Sequence, residues 1–138
     1  MRTALIVGKN REAHEAVRAA LVERYKIEML DEIPVEPINN PAPEVLFLDI
    51  GCFSELSGAN ASAVTPVFRS FKRGYPQTHI IVLSQVDRLR LAVAAVKAGA
   101  DDYLSYPIDP TELQYVLENA AATARVELEL DYLRDQFL

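Results

Sequence analysis

The chain of 138 residues has a single cysteine, Cys52, so no disulfide can close within it. One thiol in an ordinary globular composition fits a reducing cytoplasm and excludes a disulfide-stapled secreted module. A basic cluster is also missing. Lys and Arg number 14 against 20 Asp and Glu, a net charge of −6. An acidic domain of this kind is poorly suited to gripping DNA or an anionic membrane, so neither contact is expected of it. No apolar stretch approaches the roughly 20 residues that span a bilayer. Met1 to Val7 holds one basic residue and a very short apolar run, which reads as a buried strand and not as a signal peptide. Gly8 stands alone and makes no phosphate-binding loop. His14 and His79 have no metal-ligand spacing with each other or with Cys52, so no metal site is expected. Internal repeats and low-complexity runs are absent.

What remains is enough for one well-buried core. Half the residues are hydrophobic and a quarter are charged, the balance of a single globular domain. Thr3–Val7, Val45–Leu48 and Ile80–Leu83 are short continuous apolar runs, the pattern of strands covered on both faces. Tyr25–Leu30 alternates more and reads as an edge strand, and Asp102–Ser105 as a last short one. Between them, Glu12–Glu23 puts Ala13, Val17, Ala20 and Leu21 on one helical face. Ala61–Lys72 does the same with Val64, Val67, Phe68 and Phe71. Asp87–Ala98 is a third helix, with Gly99 suited to its C-terminal cap. Asp109-Pro110-Thr111-Glu112 starts a fourth, with Asp as N-cap and Glu three positions later. Alternating strands and helices argue for a doubly wound parallel sheet. One crossover departs from this: Asp31–Pro43 carries four prolines, and is expected to be extended with at most a helical turn.

In an open α/β sheet, ligands bind beyond the carboxyl ends of the strands. Those ends are Gly8-Lys9, Asp49, Ser84 and Tyr106-Pro107. No Ser–His–Asp, Cys–His or paired-carboxylate set stands there, so turnover of a substrate is not expected. The stretch Ala98-Gly99-Ala100-Asp101-Asp102-Tyr103-Leu104-Ser105-Tyr106-Pro107 is similar to the segment "AGADDYLxKP" of one family. Val45–Ile50 is similar to its phosphoacceptor strand, and Ile80–Ser84 to the strand that ends in its switch hydroxyl. The chain thus resembles the receiver domain of two-component response regulators, the CheY-like family, over roughly Thr3 to Ala120. The resemblance implies a five-stranded doubly wound parallel sheet of order 2-1-3-4-5, followed by an extended C-terminal helix. It also implies roles. Asp49 takes the place of the phosphoacceptor, Ser84 of the hydroxyl that binds the phosphoryl group, and Tyr103 of the aromatic whose rotamer reports activation. Gly51 takes the place of the residue whose carbonyl helps to hold magnesium.

The departures define a degenerate pocket of Gly8, Lys9, Gly51 and Tyr106. The acidic pair that holds magnesium in the family is replaced by Gly8-Lys9, and the lysine before proline by Tyr106. Exchanging two carboxylates for a glycine and an ammonium moves the pocket by up to about three charge units. At about 4 Å and an effective dielectric of about 20, each unit is worth up to roughly 4 kcal/mol before solvent screening. Magnesium is therefore expected to bind poorly, and no cofactor is expected. Lys9 has two readings: a pair with Asp49 as a substitute cation that holds it ionised, or a side chain that points to solvent. Cys52, three residues beyond Asp49, is read as an ordinary unreactive thiol.

From Thr111 to Phe137 nothing interrupts the helical pattern, a length of about 40 Å. Leu113, Val116, Leu117 and Ala120 suffice to dock its first part. Val126, Leu130, Leu133 and Phe137 then follow spacings of four, three and four, the start of a heptad seam. The expected division is a receiver-like domain over 1–122 and a helical extension over 123–138. The extension would form a homodimer and lead to an output domain in the same protein, as part of a longer chain. This ending resembles the linker of NtrC-type enhancer-binding activators. The expected function is a cytoplasmic regulatory domain of a transcription regulator with a degenerate phosphorylation site. Two other readings use the same pocket: a working phosphoacceptor at Asp49, fed by a histidine kinase with magnesium, and a small-ligand sensor.

Overall fold

Successive side chains of a strand point to opposite faces, so a continuous apolar run has to be covered on both. The computed structural model realises this over residues 2–38, 42–53 and 61–137. The side chains of 123–129, 131, 132, 135 and 137 lie outside that description. The strands are β1 (Arg2–Val7), β2 (Tyr25–Leu30), β3 (Val45–Asp49), β4 (His79–Ser84) and β5 (Asp102–Ser105). They form one parallel sheet of order β2-β1-β3-β4-β5, the order the resemblance implied. The helices are α1 (Arg11–Leu21), α2 (Val64–Arg73), α3 (Leu89–Lys97) and α4 (Pro110–Phe137).

Each central strand divides its side chains between two cores. Leu5, Val7, Leu46, Leu48, Ile80 and Val82 face α2 and α3, where Phe68, Tyr75, Ala92 and Ala95 close the layer. Ala4, Ile6, Val45, Phe47, Ile81 and Leu83 face α1 and α4, against Val17, Leu21, Leu113 and Leu117. The edge strand β2 buries only Tyr25 fully, which explains its more alternating sequence.

Helix ends follow local chemistry. The side chain of Asn10 accepts from the Ala13 amide at 3.0 Å and starts α1 one residue earlier than expected. The helix gives way at Val22, two residues short of the predicted end. Residues 61–63 and 86–88 are 3-10 turns rather than the first turns of α2 and α3. Arg88, at φ −119° and ψ 19°, leaves helical backbone and offers no side-chain cap. Asp109 caps α4 as predicted, its Oδ1 accepting from the Thr111 amide at 2.7 Å. Gly99, just past α3, has φ +126°, a backbone that favours glycine.

The proline-rich crossover has no helix among its described residues, and Pro41 lies outside them. Ile33 and Ile38 pack against the α2/α3 core. The Ile38 amide donates to the Tyr75 hydroxyl at 3.3 Å. At its far end the Thr78 hydroxyl donates to the Pro43 carbonyl at 2.7 Å, so apolar anchors and hydrogen bonds with side chains hold a segment in which proline forbids a helix.

Candidate functional site at the carboxyl ends of the strands

The parallel sheet brings the ends of β1, β3, β4 and β5 to one edge, where the predicted residues Gly8, Asp49, Ser84 and Tyr106 meet. Asp49 ends β3 and caps the 3-10 turn Ile50–Cys52, its Oδ1 accepting from the Gly51 amide at 2.7 Å. The other oxygen, Oδ2, accepts a hydrogen bond from the Tyr106 hydroxyl at 2.7 Å. Both bonds have a charged acceptor, the stronger class of hydrogen bond. Burial, then the bond to Asp49, raises the Tyr106 phenol above its ordinary value, so it remains a neutral donor.

Gly8 lets the β1 end approach this carboxylate. Its φ is +153°, and a Cβ there would stand 2.8 Å from Asp49 Cβ. A side chain at that position has to displace Asp49 or the backbone, so Gly8 is a packing requirement.

Lys9 does not pair with Asp49. Its Nζ lies 3.8 Å from Glu32 Oε1, with the two side chains 75% and 81% exposed. An exposed pair at this distance is worth about 0–1 kcal/mol. Of the two readings of Lys9, the pair with Asp49 is corrected and the solvent-exposed side chain is what the structure has. The Tyr106 hydroxyl already holds Oδ2, and a flexible ammonium keeps more of its hydration beside an exposed carboxylate than against a half-buried one.

Ser84 is 0% exposed, and its Oγ has no hydrogen-bond partner among the described residues. Its backbone carbonyl accepts from the Tyr106 amide at 2.9 Å, which sets β5 in register at this edge. Tyr103 is 39% exposed, on the face of β5 opposite the buried Leu104.

A cleft of about 670 Å³ opens beside Asp49. Asp31 and Glu32, just past β2, line it together with Lys9, Asn10, Cys52 and Gln85. Sequence reading missed Asp31 and Glu32 because it took only the ends of the other strands. Their position directly after Leu30 was the available signal. The Cys52 thiol is pushed up to about 11, first by burial and then by the Asp49 charge, against an opposing effect of Lys9. A thiol held protonated is a weak nucleophile, in keeping with its reading as unreactive.

Both oxygens of Asp49 have donors, and the cleft beside it holds the charges of Asp31 and Glu32 together with that of Lys9. Asn10 spends its side-chain oxygen on α1. Among the described residues no group of three or more His, Cys, Asp or Glu side chains is placed to hold a metal ion.

No protein-family model matches the chain. It is 29% identical over 92 residues to the nitrogen assimilation regulatory protein NtrX of Azorhizobium caulinodans, which is 67% of this chain and 19% of that protein. It is 34% identical over 80 residues to the photosynthetic apparatus regulatory protein RegA of Rhodobacter capsulatus, which is 58% of this chain and 40% of that protein. The chain thus spans less than half the length of these curated relatives. NtrX from Brucella abortus superposes with a TM-score of 0.73 at 22% identity, covering 97% of this chain and 29% of that one. The N-terminal signal receiver domain of a two-component system response regulator from Bacteroides fragilis gives a TM-score of 0.65 at 25% identity, covering 88% and 97%. The chain has the fold of CheY-like receiver domains, and the curated proteins it is similar to are the regulatory proteins NtrX and RegA.

Proposed function

We propose that the chain is the regulatory receiver-like domain of a two-component-type transcription regulator, and that its Asp49 site works without phosphate. The observation that carries this reading is the internally satisfied carboxylate. Asp49 accepts from Gly51 on one oxygen and from Tyr106 on the other, both at 2.7 Å. Phosphoryl transfer to an aspartate needs a free oxygen as nucleophile and cations to neutralise the moving group. Here the attacking oxygen is engaged. Tyr106 supplies a neutral hydroxyl where the family resemblance implies an ammonium, and Gly8-Lys9 supplies no metal ligand.

Asp49 then serves as a structural acceptor, and output passes through α4. Beyond Ala120, the last of the described residues of α4 in the core, Leu130 and Leu133 are 49% and 48% exposed. They support a homodimer through the α4 extension. The side chains of Val126 and Phe137, the other two seam residues, lie outside the described residues. An output domain in the same protein is supported by the small share of NtrX and RegA that the chain spans.

The test is incubation with a small phosphodonor, with and without magnesium, followed by intact mass. The expected result is no phosphoryl adduct in either condition. A magnesium-dependent adduct that Asp49→Ala abolishes would restore the working phosphoacceptor fed by a histidine kinase.

A further inference from the structure

We propose that the hydrogen bond from Tyr106 to Asp49 is a latch that holds the β5–α4 junction against the end of β3, so that the carboxylate governs the long helix from inside the fold. The proposal rests on the reading of Asp49 as a site that works without phosphate, and adds how that site reaches the output helix.

Strands β3 and β5 are not neighbours, because β4 lies between them. The bond from the Tyr106 hydroxyl to Asp49 Oδ2 therefore spans β4 and ties the edge of the sheet to its centre. β5 is a four-residue edge strand paired only with β4, so it has few restraints of its own. Tyr106 is fixed at both ends, by its amide on the Ser84 carbonyl at 2.9 Å and by its hydroxyl on Asp49. Its ring and Ile108 pack against the core that α4 shares with α1. Asp109 follows at once, accepting from the Thr111 amide on Oδ1 and from the Leu113 amide on its carbonyl at 3.0 Å. The position of Tyr106 is thereby passed to the first turn of α4 through a short chain of packed and bonded residues, a physical connection between site and helix.

Ser84 supplies an independent observation. It lies on the strand the latch crosses, and its buried Oγ has no partner among the described residues. An unpaired buried hydroxyl is a cost that a well-packed site usually removes.

Hydrogen–deuterium exchange on the full chain tests this in a four-way comparison of the wild type, Tyr106→Phe, Asp49→Ala and the double variant. Each single change is expected to raise exchange of the amides of 108–120 by about tenfold or more, the loss expected of one charge-assisted bond. The double variant is expected to go no further, because both changes break the same bond. Wild-type exchange in Tyr106→Phe overturns the latch, and so do single effects that add in the double variant. If Asp49→Ala raises exchange throughout β1 and β3, it has lost the fold, and Tyr106→Phe against wild type then decides the latch by itself. The two proposals fail separately. A phosphoryl adduct on the wild type overturns the phosphate-free reading and leaves the exchange comparison standing, whereas unchanged exchange in Tyr106→Phe removes the latch alone.

Discussion

Tyrosine and lysine reach a similar distance from the backbone, but they bring different charges to a carboxylate. At position 106 the phenol satisfies Asp49 Oδ2 with a hydrogen bond and no counter-charge. Asp49 in turn acts on its neighbours, and its charge helps burial to raise the thiol of Cys52 to about 11 from an ordinary 9.0. The folded chain therefore keeps the Cys52 proton to a higher pH than the unfolded chain does. Between about pH 9 and 11 the folded state binds more protons, so this contribution to stability falls as pH rises. Urea unfolding across that range is expected to show wild type losing stability relative to Cys52→Ala, with the difference constant below pH 8. A difference that does not change with pH would show that the thiol is not held protonated. At this scale the sequence placed Gly8, Asp49, Ser84 and Tyr106 at one edge of the sheet, where the structure also has them. It did not find Tyr106 as the partner of Asp49, because a side chain's choice between Tyr106 and Lys9 depends on burial and distance across strands.

Among elements, the central strands were the most legible. β1, β3 and β4 bury both faces, so their sequences carry apolar residues without interruption, and Tyr25–Leu30 and Asp102–Ser105 were placed to the residue. Helix starts were less so, because the 3-10 turns before α2 and α3 have compositions that helical patterns also contain. The longest element carries the output prediction. Leu113, Val116, Leu117 and Ala120 anchor the first part of α4 in the core. Leu130 and Leu133 lie beyond it, largely exposed. Replacing both with Glu is expected to abolish a dimer seen by light scattering and to shift the melting temperature by less than about 2 °C, since no core contact is lost. A wild type that is monomeric at all concentrations, and a variant that matches it, would remove the α4 dimer.

At the scale of the molecule, a parallel sheet with helices on both faces places its loops at the carboxyl edge, where a cleft of about 670 Å³ opens. In a domain whose edge site binds magnesium, the ion would raise stability by mass action. A site with a dissociation constant of about 1 mM, at about 10 mM ion, adds roughly 1.4 kcal/mol. The engaged carboxylate and the lysine at Lys9 lead to the opposite expectation. Melting in 10 mM magnesium chloride should match melting in sodium chloride of equal ionic strength. A rise of several degrees that Asp49→Ala removes would mean that the ion displaces the Tyr106 hydroxyl.

The sequence by itself determined the class of fold, the strands and the residues at their carboxyl ends. Apolar periodicity records how many faces of an element are buried, and that is a local property of the chain. Only the tertiary structure decided what those residues do to one another. The bond between Asp49 and Tyr106 joins positions 57 residues apart across an intervening strand. Lys9 turned instead to Glu32, a residue from the end of β2. Such pairings are set by distances between strand ends and by how much water each group keeps, and neither quantity is written in the order of the residues.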